Sequence, residues 1–188
     1  MQDGNYPDFE VGQTVEFALE FWLPKGVFAQ ASGGEMSPIN LGDGLYDTVA
    51  EVVLETAQVT ILDIGILVYR QTTSLQPLPQ GPRLAVQLRL GVDPFSYFES
   101  LSKSGDVLPL VYSWKIISIL RQTAPFVDCG PGESPIGRKV RVRDPQRIGY
   151  EEILKTDAWH DDGGNAEYLL RCDLLPIAPK RTSATANP

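Results

Sequence analysis

Apolar and polar residues alternate along much of this chain. In residues 13–23, Val15, Phe17, Leu19, Phe21 and Leu23 interleave with Thr14, Glu16, Ala18, Glu20 and Trp22. Successive side chains of a strand point to opposite faces, so a period of two predicts a half-buried strand, which Pro24 ends. Residues 46–56 and 59–71 are rich in β-branched side chains and predict a hairpin turning at 55–58. Gly65, inside the second run, predicts a bulge. Residues 83–92 alternate again, with Leu84, Val86, Leu88, Leu90 and Val92 on one face. Residues 107–122 form another long β-rich run. Residues 139–143 alternate charge with valine, as an edge strand does, and 150–159 with 166–175 predict a second hairpin.

Between these runs lie breakers. Residues 25–44 are crowded with Gly, Ser, Pro and Asn, residues 75–82 hold three prolines, and 125–137 hold Cys129-Gly130-Pro131-Gly132. All three segments read as loops. Asp93-Pro94 has the form of a helix N-cap followed by proline, and Phe95, Phe98 and Leu101 follow at intervals of three. That spacing predicts one short helix near residues 94–102. The fold expected is mainly β, an antiparallel barrel or sandwich, and an OB-like barrel accommodates one short helix between its strands. Residues 1–175 are expected to form a single β-rich domain, with 176–188 a flexible polar tail.

Composition narrows the classes. At 188 residues and 43% hydrophobic content, the chain can bury a core without staples. No run approaches the roughly 20 apolar residues of a membrane span. The acidic start lacks a signal-peptide layout, which points to the cytoplasm. Cys129 and Cys172 are far apart with no CxxC spacing, so reduced structural thiols are expected. The net charge of −8 is uneven: residues 1–100 carry 13 acids and 4 bases, and residues 101–188 carry 11 and 12. Such a balance disfavours nucleic acid and anionic membranes and favours a basic partner.

Two clusters are candidates for function. Glu16, Glu20, Asp47, Glu51 and Glu55 fall on outward or mixed strand faces and could share one negative surface, with Trp22 as an aromatic anchor. The leading expectation is therefore a non-catalytic binding protein that recognises a basic protein partner. An immunity-type inhibitor of a basic toxin is one physical model for it. The second cluster is Asp157, His160, Asp161, Asp162 and Glu167, around the chain's one histidine. Oxygen ligands of this kind suit Ca²⁺ or Mn²⁺, so the alternative is a metal-dependent hydrolase centred there. An EF-hand counted from Asp157 fails, because positions 3, 6 and 12 are Trp159, Asp162 and Tyr168. Asp161-Asp162-Gly163-Gly164-Asn165 equally suits a plain turn. His160 lacks a motif-borne nucleophile, and one His with two scattered Cys falls short of a zinc set. The basic stripe 138–143 reads as edge protection, and an unpaired edge there would support a homodimer.

Overall fold

The computed structural model describes residues 7–24, 28–30, 37–71, 83–93, 97, 101–103, 109–129 and 140–176, with backbone alone at 28–30, 129, 140 and 141. The protein is mainly β, and its centre is a closed, mixed barrel of five strands. Thirteen strands run along the described chain. The barrel is formed by β2 (Leu19–Trp22), β5 (Leu45–Glu55), β6 (Val59–Asp63), β7 (Leu67–Gln71) and β8 (Arg83–Val92). They join as β2–β7–β6–β5–β8, and β8 returns to β2. Only β2 and β7 run parallel; the other four pairings are antiparallel. Closure satisfies the strands' backbone groups around the ring. Two short strands hang on it: β3 (Phe28–Gln30) on β8 and β4 (Ile39–Gly42) on β5.

Inside the barrel, Phe21, Leu62, Ile64, Val68, Leu84 and Leu88 form the main core. Fully burying such side chains contributes about 1.5–3 kcal/mol each. The outer face of β6–β7 is buried as well. Val59, Ile61 and Tyr69 pack there against Tyr97, Leu101 and Leu110. That double burial explains why residues 59–62 are apolar or uncharged throughout, with no exposed alternate.

The second sheet has β9 (Tyr112–Gln122) at its centre. β1 (Thr14–Phe17) pairs with one end of it and β12 (Tyr150–Ile153) with the other, while β13 (Tyr168–Leu174) pairs along most of its length. A third unit is the hairpin of β10 (Phe126–Cys129) and β11 (Val140–Arg143).

Several expectations are corrected. Residues 13–23 are two strands, broken at Ala18, which has no exposed surface and whose carbonyl accepts the Asp93 N–H at 3.0 Å. β1 belongs to the β9 sheet and β2 to the barrel. Gly65 marks a chain reversal rather than a bulge: its N–H donates to Asp63 Oδ1 at 2.8 Å, its φ is 98°, and β6 turns back as β7. The bulge lies in β5 instead, between Val52 and Leu54. The segment 25–44 contains β3 and β4, and 125–137 contains β10, so the edge at 139–143 is already paired. β12 and β13 are no hairpin. Both run antiparallel to β9, so they point the same way and need a crossover connection, residues 154–167. Of the helix expected near 94–102, Tyr97 is helical and Leu101–Lys103 forms a 3₁₀ turn; its remaining residues lie outside the described ones. The loop 75–82, the start of the run at 107–108 and nearly all of the tail also lie outside them.

Ala18 is fully enclosed at the break, within the core outside β6–β7. Substituting Ala18→Leu should destabilise the protein by about 1–3 kcal/mol through overpacking. Thr14→Leu, on the exposed part of β1, should change stability by no more than about 0.5 kcal/mol. Urea denaturation of the two variants checks the contrast.

Candidate functional site

Alternation along β5 sends Thr48 and Ala50 inward and Asp47 and Glu51 outward. Glu51 stands opposite Asp63 on β6 and opposite Arg83 on β8. Arg83 Nη2 lies 3.7 Å from Glu51 Oε2 with both side chains well exposed, a pair contributing no more than about 1 kcal/mol. Like charges directly opposite one another destabilise a ladder, so Glu51 and Asp63 concentrate negative charge at some cost.

The bulge then divides the predicted acidic row. An extra residue in one strand turns every later side chain to the other face. Leu54 consequently joins the core outside β6–β7, and Glu55 stands opposite Thr60. Its charge is felt by Arg70, which pairs with Thr60 from the other side. Glu55 thus leaves the face of Asp47 and Glu51. Glu16 lies on the β9 sheet, where its carboxylate accepts the Ser113 hydroxyl at 3.0 Å. Glu20 is half-buried, and burial, aided by Asp93, pushes its carboxyl above the usual range. Trp22 is 48% exposed. Its indole lies over Gly91, where a Cβ would meet Cζ3 at 2.4 Å, and Arg89 stands opposite it. Of the six residues expected to share a surface, Asp47 and Glu51 stay together, Trp22 flanks them across β8, and Asp63 is an addition.

The second cluster sits on the crossover between β12 and β13. Thr156, buried, anchors its start: Oγ1 accepts the Phe9 N–H at 2.9 Å and donates to Asp8 Oδ1 at 3.3 Å. Residues 161–163 form a 3₁₀ turn, and Asp162, Gly163 and Gly164 take φ values of 50°, 64° and 81°. Glycine adopts this left-handed region freely, and Asp tolerates it better than most residues. Two arginines hold the turn. Arg121 Nη1 reaches Asp161 Oδ1 at 2.6 Å, and Tyr168 donates to the other oxygen at 2.7 Å. Arg121 also binds Glu151. Arg143 pairs with Asp162, donates to the Ala124 carbonyl at 2.7 Å and lies 4.1 Å from the Phe126 ring centroid.

The carboxylates of Asp161 and Asp162 therefore answer arginines of β9 and β11. Glu167 is exposed, and its backbone carbonyl accepts the Gln122 N–H at 2.9 Å. Among the described residues, no three His, Cys, Asp or Glu side chains converge as metal ligands. His160 has its side chain 84% exposed, with Nδ1 at 2.7 Å and 2.9 Å from the two oxygens of Asp157. Asp157 engages the Nδ1 side of the ring, and no described residue bonds to the Nε2 of His160. Sequence spacing missed Arg121 and Arg143 because they come from other strands. The signals for them were an arginine near the end of the apolar run of β9 and the basic stripe 138–143, which the alternation alone assigns to edge protection.

Comparison with family models, with curated proteins and with solved structures gives no match for this chain.

The His160–Asp157 pair has a measurable signature. The hydrogen bond to Asp157 raises the histidine's pKa, and the same bond lowers that of Asp157. A raised histidine stabilises the fold fully below its unfolded pKa of about 6.5, and the contribution fades as pH rises through the folded value. A lowered aspartate contributes above about pH 3.9, and its share is lost as pH falls through the folded value. Proton NMR should therefore show the one histidine titrating above about 6.5, and Asp157→Asn should return it to about that value.

Proposed function

We propose that the protein is a non-catalytic binding protein, and that Asp47 and Glu51 on the outer face of β5, with Asp63 at the end of β6, meet a basic protein partner. The observation that carries this reading is the contrast between the two carboxylate clusters. Asp161 and Asp162 are matched one for one by arginines, and Tyr168 occupies the second oxygen of Asp161. Among the described residues, Asp47, Glu51 and Asp63 point outward with one cation paired to them, Arg83, whose exposed guanidinium lies 3.7 Å from Glu51. Charge left unmatched at an exposed face is available to a partner of opposite sign, chiefly through the rate of encounter.

Trp22 fits the same reading. A half-exposed indole on bare glycine backbone is a ready anchor, since hot spots favour tryptophan and arginine, and Arg89 adjoins it. The mixed charge on β8, with Arg83 and Arg89 between Trp22 and the acids, narrows the negative patch to β5–β6. An immunity-type inhibitor of a basic toxin is one form such a protein would take. The metal-dependent hydrolase centred on Asp157, His160, Asp161, Asp162 and Glu167 has less support, because two of its acids, Asp161 and Asp162, already neutralise arginines.

The triple change Asp47→Lys, Glu51→Lys, Asp63→Lys should slow association with a partner captured at low salt by about ten-fold or more. Glu16→Lys, on the other sheet, should leave it nearly unchanged. Capture with mass spectrometry followed by stopped-flow association measures both. Equal rates for wild type and the triple variant would remove the acidic face from the interface.

A further inference from the structure

The barrel is packed along its length but opens at one end. That end is formed by the start of β5, the end of β8, the β6–β7 turn and the start of β2. Tyr46, Ile64, Ile66 and Leu90 line it. The second sheet stands across the opening and supplies Phe17, Trp114, Leu170 and Cys172. Between them is a cavity of about 510 Å³. The space is partly open to solvent, a cleft between the two sheets rather than an enclosed packing void. It falls in the usual range for small-molecule sites, and barrel mouths are among their common positions.

The lining describes what would fit. None of the described lining residues is charged. An ion entering would lose its hydration without a counter-charge to replace it. Phe17 and Trp114 stack with their planes 12° apart and centroids 5.4 Å apart, an aromatic wall against which a ring can lie. Four lining side chains can donate a hydrogen bond. Two are occupied: Trp114 Nε1 donates to the Phe17 carbonyl at 3.3 Å, and Tyr168 donates to Asp161. The Tyr46 hydroxyl and the Cys172 thiol make no hydrogen bond to the described protein, and Cys172 is a free cysteine.

We propose that the space between the barrel mouth and the second sheet binds one uncharged, largely apolar small molecule, a ring compound carrying an acceptor that Tyr46 engages. Burial keeps both free groups protonated. It pushes the Tyr46 hydroxyl up, with a further contribution from Cys172, and the Cys172 thiol up to about 11. Tyr46 is then a neutral donor at ordinary pH, suited to a carbonyl or ether oxygen. Cys172 adds polarizable surface rather than a nucleophile. This site lies apart from the acidic face, and its test leaves that reading untouched.

The probe is prodan, an uncharged naphthalene fluorophore with a ketone, titrated into the full chain. Saturable uptake of one equivalent with blue-shifted emission is expected. Ala166→Trp, placed to fill the cavity, should abolish the uptake, and Tyr46→Phe should weaken it about five-fold, the scale of one neutral hydrogen bond. Bound prodan should also slow alkylation of Cys172, followed at that peptide by mass spectrometry. No saturable uptake, equal uptake by folded Ala166→Trp, or equally tight binding of an anilinonaphthalene sulfonate would overturn the proposal. If Ala166→Trp does not fold, the wild-type labelling rate decides, and a rate unchanged at saturating prodan overturns it. Unchanged affinity in Tyr46→Phe would overturn the role of Tyr46.

Discussion

The arrangement depends on the joint at Ala18. One run of alternating residues serves two sheets, and it changes sheet where the side chain is a single methyl group with no exposed surface. The carbonyl of Ala18 accepts the N–H of Asp93, just past the end of β8, so the joint is tied to the strand that closes the barrel. Asp93 Oδ2 in turn accepts the Tyr97 N–H at 2.9 Å, and the Tyr97 hydroxyl accepts the Leu110 N–H at 3.2 Å. A chain of main-chain and side-chain bonds thus leads from the joint toward the start of β9. The second sheet stands across the barrel mouth because β1 and β2 share this one residue.

The crossover from β12 to β13 reinforces the arrangement from the other side. Its start pairs with residues 9–11, just before β1: Thr156 donates to the Phe9 carbonyl, and Val11 to that of Leu154. Its middle is gripped by Arg121 and Arg143, through Asp161 and Asp162. Tyr150 adds a direct link to the barrel, donating to Asp43 Oδ1 in the β4–β5 turn at 2.5 Å. The carboxylate-rich turn therefore has a structural task. It is the place where a long connection, lacking a helix of its own, is held by charge.

Strand positions were legible where one face is buried and the other wet. Residues 83–92 match β8 at both ends because Leu84, Val86 and Leu88 point into the barrel while the side chains between them face outward. Legibility failed where that contrast is lost. β6 is buried on both faces, so nothing in its pattern marked Gly65 as a reversal rather than a bulge. The true bulge lies within Val52-Val53-Leu54, three apolar residues that leave no trace of a phase change. The hairpin predicted from 150–175 failed for another reason. Two strands with turn residues between them look alike whether they pair with each other or flank a third strand, and only the position of β9 decides.

The same phase logic separates the candidate sites. β5 is the strand on which they meet: Tyr46 lines the cavity, Asp47 faces outward beside Glu51, and the bulge past Val52 carries Glu55 away from both. A set of acids read as one surface from their spacing is therefore divided by a single inserted residue. Net charge survives such a division, but a binding face does not, because encounter depends on where the charges lie as well as on their sum. The outward acids that remain grouped are Asp47, Glu51 and Asp63. The group includes a residue from a second strand that no inspection of one strand's alternation would have supplied.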